Sequence, residues 1–269
     1  MGILNINDDS FSGDGRLDLG WALRRAGELA AAGADIIDVG GESARTNRAA
    51  VPEEEEWRRI GPFLENYATA VAEVQPRDGV QVFPPLLSVN TWRPGVAGRA
   101  LGAGCELLND MGALPDARNA ALCGETGAAL LIMHSLGEPK IAHDHVRYTD
   151  ILSELESFFE EKIALSLRGG VSREQILLDP GIDFAKPAPD NLRIYRELSR
   201  LGRFDRPVLL PVSRKGVVGD VLGIKNPAER DAGSVACLVS GALRGASIFR
   251  VHNVSAAWLA LRTLEAVQQ

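Results

Sequence analysis

The sequence predicts a single-domain α/β protein, a (β/α)8 barrel of the TIM type, spanning residues 1–269. Three observations point there. Short β-branched runs alternate with Ala/Leu-rich amphipathic stretches eight times along the chain. The runs are apolar at successive positions, as in strands covered on both faces. No linker-like segment or shift in composition divides the chain. Strand–helix repetition gives parallel pairing through right-handed crossovers. Eight even units favour a closed sheet over its competitor, an open doubly wound sheet.

Taken in order, GILNI is the first strand and residues 17–32 its helix. DIIDVG leads to a helix over 53–72, whose opening run of four glutamates suits the positive end of the helix dipole. VFPPLLSVN leads to 95–101, ELLND to 116–126, and ALLIMH to 151–167. ILLDPG leads to 191–201, PVLLPVS to 228–243, and SIFRVH to 255–267. The first strand follows Met1 directly, which leaves little chain to close the barrel floor. The longest connections, 7–16, 40–52 and 135–148, follow strands 1, 2 and 5, and loops of that length on a compact barrel tend to serve function.

Composition narrows the options. A net charge of -7 without a Lys/Arg stripe argues against a nucleic-acid or anionic-membrane partner. No apolar run is long enough to span a membrane and the N-terminus lacks a signal-peptide pattern, so a cytoplasmic location is expected. Cys105, Cys123 and Cys237 lie far apart among small apolar residues and read as reduced, buried thiols. His143 and His145 lie in a polar loop without zinc-ligand spacing and read as solvated.

A barrel active site lies at the C-terminal ends of its strands. Here those ends are polar: Asn5; Asp38, Glu42, Ser43 and Arg45; Asn90; Asn109 and Asp110; Met133 and His134; Asp179; Ser213, Arg214 and Lys215; Arg250 and His252. Arg250 and His252 alternate on strand 8, so both side chains face one way and could grip a phosphate. Asn5, on the neighbouring strand of a closed barrel, could add a neutral oxygen for Mg2+; a turn-capping role is the alternative. Asp179 and Asn109 can read the donor and acceptor edge of a flat heterocycle, and Lys215 can supply a cation. Capping of the DPG turn by Asp179 and a solvated helix-start role for Lys215 stay open.

Taken together, MGILNINDDSFSGDG, GADIIDVGGESAR, SVNTWRP, LLND, LLIMH, LDPGIDFAK, PVSRKGVVG and RVHNV resemble, in order, the motifs of the dihydropteroate synthase (pterin-binding) family, over essentially the whole chain. That resemblance implies a transferase of folate biosynthesis joining a pyrophosphate-activated dihydropterin to p-aminobenzoate. It implies pyrophosphate and Mg2+ at Asn5, Arg250 and His252. Asn109, Asp179 and Lys215 would hold the pterin, with Met133 packed on it, and Phe184, Ser213 and Lys215 would border the arylamine pocket. Asp9, Ser10 and Phe11 would belong to a closing loop, Arg45 to the substrate-binding loop 2, and the protein would be a homodimer.

The chain departs from the family pattern at specific positions. Asn90 stands where the family's SVDT motif has Asp, a carboxylate beside a ring on which positive charge develops. Asn7 and Asp8 stand for Thr-Pro, Ala44 and Thr46 alter loop 2, Asn253 stands for Asp, and Asp183 and Ala185 stand for two glycines. These changes leave two further readings: a divergent enzyme using another activated substrate or amine, or a pterin-binding protein with little turnover.

Overall fold

The computed structural model describes residues 1–8, 15–43, 48–137, 139–141 and 146–268. Eight parallel strands follow one another in sequence order. They are β1 (Gly2–Asn5), β2 (Ile36–Gly40), β3 (Leu86–Asn90), β4 (Leu107–Asp110), β5 (Ala129–Met133), β6 (Ile176–Asp179), β7 (Val208–Pro211) and β8 (Ala246–Arg250). Closure comes from backbone hydrogen bonds just beyond β8: Ile3 N–H donates to Val251 O at 3.0 Å and Val251 N–H to Met1 O at 2.9 Å.

Period-two geometry sorts each strand into two faces. Leu4, Ile37, Val89, Leu108, Leu130, Leu178 and Leu210 point outward and are completely buried under the helices, each worth roughly 1.5–3 kcal/mol of apolar burial. The alternate positions point inward, where Leu107, Leu131, Leu177 and Leu209 pack with Met1, Ile36, Ala129 and Ile248 to fill the lower barrel. Met1 therefore helps plug the floor, and its amino group donates to Phe249 O at 3.0 Å. Two residues further along most strands the same inward face turns polar, with Met133 on β5 and Pro211 on β7 the exceptions.

The helices are α1 (Leu19–Ala31), α2 (Glu53–Val71), α3 (Pro94–Gly102), α4 (Arg118–Thr126), α5 (Ile151–Arg168), α6 (Ala188–Glu197), α7 (Gly216–Leu222), α8 (Asp231–Ala242) and α9 (Val254–Gln268). Asp18 and Asp150 cap α1 and α5 with their side chains. The sequence reading differs from this in three places. β3 begins at Leu86 because Pro84 and Pro85 have no N–H for the ladder. α6 starts earlier, at Ala188 behind Pro187, and ends in a 3-10 segment, Leu198–Phe204. The helix expected at 228–243 after strand 7 is α8, and a short helix not expected from the sequence, α7, precedes it and ends at Gly223 in the left-handed conformation. Cys105 and Cys123 are buried thiols, and Cys237 is half-buried. No helix among the described residues is long and apolar enough to cross a membrane.

Candidate active site

The polar inward positions converge on a cavity of about 280 Å³ at the C-terminal ends of the strands. Register explains the convergence. Asn5 pairs with Gly40, Gly40 with Asn90, and Asn90 with Asn109, so three amides ring one side of the mouth. Met133 pairs with Asp179, and Pro211 with Arg250, which completes the ring. A larger groove of about 740 Å³, around Met1, Trp258 and Arg262, lies at the opposite end and holds none of these strand-end groups.

Of the residues singled out from sequence, Asn5, Asn90, Asn109, Met133, Asp179, Phe184, Lys215, Arg250 and His252 all line the cavity. Ser213 is brought to the same region but sits behind the lining: its hydroxyl accepts the His252 backbone N–H at 3.1 Å and lies 2.8 Å from His252 Nδ1. Asp9 and Arg45 lie outside the described residues, as do Ser10, Phe11, Ala44, Thr46, His143 and His145.

Asp38 stands among the polar strand ends, but nothing in the sequence assigned it a role. It is fully buried, and its Oδ2 accepts from Arg250 Nε at 2.7 Å, Asn109 Nδ2 at 3.1 Å and Asn90 Nδ2 at 3.4 Å. Its Oδ1 accepts from Ser88 Oγ at 2.6 Å. The only sequence signal was its place two residues before Gly40, on the inward face of β2. Arg230, Met111 and Asp183 also line the cavity. Arg230 arrives from the approach to α8, far along the chain, with nothing in the sequence to announce it.

Asp179 is both turn cap and lining residue. Its Oδ1 accepts the Gly181 N–H at 2.7 Å, and burial pushes its carboxyl up to about 6, against the pull of that N–H and of Lys215. Gly181 is obligatory there: its φ is +66°, and a Cβ would lie 1.9 Å from His134 O. Lys215 is half-buried, not solvated. Its Nζ donates to Ile182 O at 2.8 Å and stands 4.9 Å from the Phe184 ring centroid, while burial lowers its pKa.

The loop after β6 carries strain and is held from below. Asp183 and Ala185, which stand where the family pattern has glycine, adopt φ of 68° and 51°, a conformation that suits glycine. Asp183 is compensated because its carboxylate accepts the N–H groups of Gly216 and Val217. Beneath them, buried Lys186 donates to Gly181 O at 3.0 Å and Phe184 O at 2.9 Å, with His134 Nδ1 2.7 Å away. Burial lowers the Lys186 pKa to about 7 and drives that of His134 well below the usual imidazole range, Lys186 adding to the second effect.

On the other side of the mouth, Glu42 anchors the start of loop 2. It accepts Arg93 Nη1 at 2.6 Å, the Val51 N–H at 3.0 Å and Lys140 Nζ at 3.2 Å. The same Arg93 atom contacts Glu56, so one member of the acidic run opening α2 is buried in an ion pair.

Among the described residues, no group of three His, Cys, Asp or Glu side chains is arranged to hold a metal. A single amide oxygen from Asn5 beside Arg250 and His252 instead fits Mg2+ that arrives with a phosphate supplying most of its oxygens.

A family model described as pterin binding enzyme matches residues 1–252. The dihydropteroate synthase of Escherichia coli K12 is 37% identical over 267 residues, covering 99% of this chain and 90% of that protein. A Yersinia pestis dihydropteroate synthase in a sulfonamide drug complex superposes with a TM-score of 0.90 at 36% identity, covering 100% of this chain and 93% of that one. A Xanthomonas albilineans dihydropteroate synthase in complex with 7,8-dihydropteroate gives 0.85 at 34% identity, covering 100% and 92%. With its eight-stranded barrel and a polar cavity at the strand ends, this chain belongs to the pterin-binding enzyme family.

Proposed function

We propose that this chain is a transferase that joins the methylene carbon of a pyrophosphate-activated dihydropterin to the amine of p-aminobenzoate. The observation that carries the reading is the meeting, in one cavity, of a heterocycle-reading set, Asn109, Asp179 and Lys215, with a phosphate-gripping pair, Arg250 and His252. A protein that only bound pterin would have no use for the second set. A relative solved with 7,8-dihydropteroate, the product of this condensation, supports the same assignment.

In the reaction the methylene C–O bond breaks and pyrophosphate leaves with the bonding pair. The amine nitrogen then forms the new C–N bond and loses a proton to solvent. Arg250, oriented through its Nε by Asp38, and His252, held by Ser213, would receive the departing charge. Asp179 and Asn109 would fix the pterin ring. The Lys215 and Phe184 pair would wall the side on which the amine arrives. Mg2+ bound at Asn5 would neutralise pyrophosphate charge. The homodimer expected of the family would use the late helices, where Val221, Leu222 and Leu243 are exposed.

Asn90 favours a second reading, in which the amine or the activated group differs. A preorganised charge at that position is worth ~3 kcal/mol, or ~10²-fold in rate. The test is to incubate the protein with the dihydropterin pyrophosphate, Mg2+ and p-aminobenzoate, following pyrophosphate release and dihydropteroate. Pterin binding by calorimetry without product would refute the synthase reading. A gain on Asn90→Asp would show that the amide merely slows the same reaction, and a loss would show an amide adapted to another substrate.

A further inference from the structure

We infer that Asp38 is a positioning residue that sets the hydrogen-bond polarity of the cavity floor, turning the side-chain oxygens of both Asn90 and Asn109 toward the ligand. The inference rests on the pterin reading of the site, and it follows from what a carboxylate can do. Amide nitrogen and oxygen are interchangeable in shape, so their orientation must be decided by their neighbours. A carboxylate only accepts. Both amides meet Asp38 Oδ2, at 3.4 Å and 3.1 Å, so both must present Nδ2 to it. Their Oδ1 atoms have no hydrogen-bond partner among the described residues, and both residues line the cavity, one 7% and the other 3% exposed.

The floor at β3 and β4 therefore offers two acceptors and no donor, and Asp179 adds a third acceptor from β6. Donors stand opposite, from Lys215 after β7 and Arg250 on β8. A flat ring carrying N–H groups on one edge and an anionic substituent on the other fits this distribution. A ring that placed lone pairs against β3 and β4 would leave buried acceptors facing acceptors, a mismatch that sites of this kind reject strongly. Asn90 thus presents an acceptor to the ligand, as a carboxylate there would. The negative charge itself is kept one strand away, on Asp38, where Arg250 balances it.

The test is equilibrium binding of 6-hydroxymethylpterin, followed by its fluorescence, to the wild type, to Asp38→Asn and to the swap Asp38→Asn/Asn90→Asp, with melting curves for each. An amide at position 38 no longer dictates which way its neighbours point. Affinity should fall about tenfold, as expected for one lost hydrogen bond of this kind, with KM for p-aminobenzoate unchanged. The swap restores one acceptor-only group to the cluster and should recover most of the affinity. If Asp38→Asn does not fold, Asn90→Leu, which leaves the Asp38–Arg250 pair intact, should show a similar loss. A wild type that fails to bind the pterin sinks the pterin reading itself. A wild type that binds, with folded Asp38→Asn or Asn90→Leu within about twofold of it, or a folded swap that recovers nothing, overturns the role of Asp38 alone.

Discussion

Replacing Arg93 by Met removes the cation that holds two buried carboxylates together. Glu42 and Glu56 have side chains 0% and 1% exposed, and Arg93 itself is 13% exposed. A 2.6 Å contact carries a gross attraction of about 6 kcal/mol at an effective dielectric of 20, most of it offset by desolvation. What a mutation reads is the charge left behind, typically ~3–5 kcal/mol. Glu42 keeps Lys140 at 3.2 Å and the Val51 N–H at 3.0 Å, so Glu56 is the main orphan. A loss near the lower end, about 3 kcal/mol, is therefore expected.

Burial already raises the Glu56 pKa, and losing Arg93 raises it further. The folded variant then binds more protons than the unfolded chain, so its deficit should shrink as pH falls from about 8 toward 5. Urea unfolding at a series of pH values, with an unchanged slope, measures this. Adding Glu56→Gln should make the double variant more stable than Arg93→Met alone. A deficit under about 1 kcal/mol, or no rescue by Glu56→Gln, would refute the reasoning. Because Glu42 and Ser43 line the cavity, KM should also rise.

Three further outcomes are expected. Asp179→Asn keeps the turn cap but presents a donor as well as an acceptor, so pterin affinity should drop about tenfold or more by calorimetry. Ala185→Gly relieves a left-handed φ of 51°; the ~1–2 kcal/mol relief, less ~0.5–1 of glycine entropy, should raise the melting temperature slightly. The folded-state pKa of His134 is depressed, so the unfolded chain binds more protons below about pH 6.5, and this residue costs stability as pH falls through that value. Asp110 and Asp179, raised to about 6, contribute the opposite slope between their folded and unfolded values. Wild type minus His134→Asn, in which both carboxylates cancel, should therefore lose stability toward acid by up to ~1.4 kcal/mol per pH unit.

Strand number, order and closure were legible in the sequence because a buried parallel strand and its covering helix each impose a local pattern: apolar at every position, then a 3.6-residue stripe. The candidate site was legible for a related reason. On most barrel strands the inward face changes from aliphatic to Asn, Asp or Arg where the packed interior ends, so inward residues such as Asn5, Asn90, Asn109, Asp179 and Arg250 identified themselves, whereas Pro211 on β7 did not. Helix ends were less readable. α7 went unread because it is only seven residues long and is ended by a left-handed turn at Gly223 that glycine permits but does not dictate.

Periodicity tells which way a side chain points but not what it meets. That Asp38 gathers Arg250, Asn90 and Asn109, residues 212, 52 and 71 positions away, follows from the register of neighbouring strands around the closed barrel. The sequence states no such register. The Lys186–His134 pair under the β6 loop, the Arg93 clamp on Glu42 and Glu56, and Ser213 behind His252 arise the same way. The sequence by itself determined that this chain makes a barrel with a polar mouth and which strand-end side chains are candidates to ring it. Only the tertiary structure decided which of them touch the cavity and which hold the others in place, because hydrogen-bond partners are chosen by proximity across strands that local sequence does not encode.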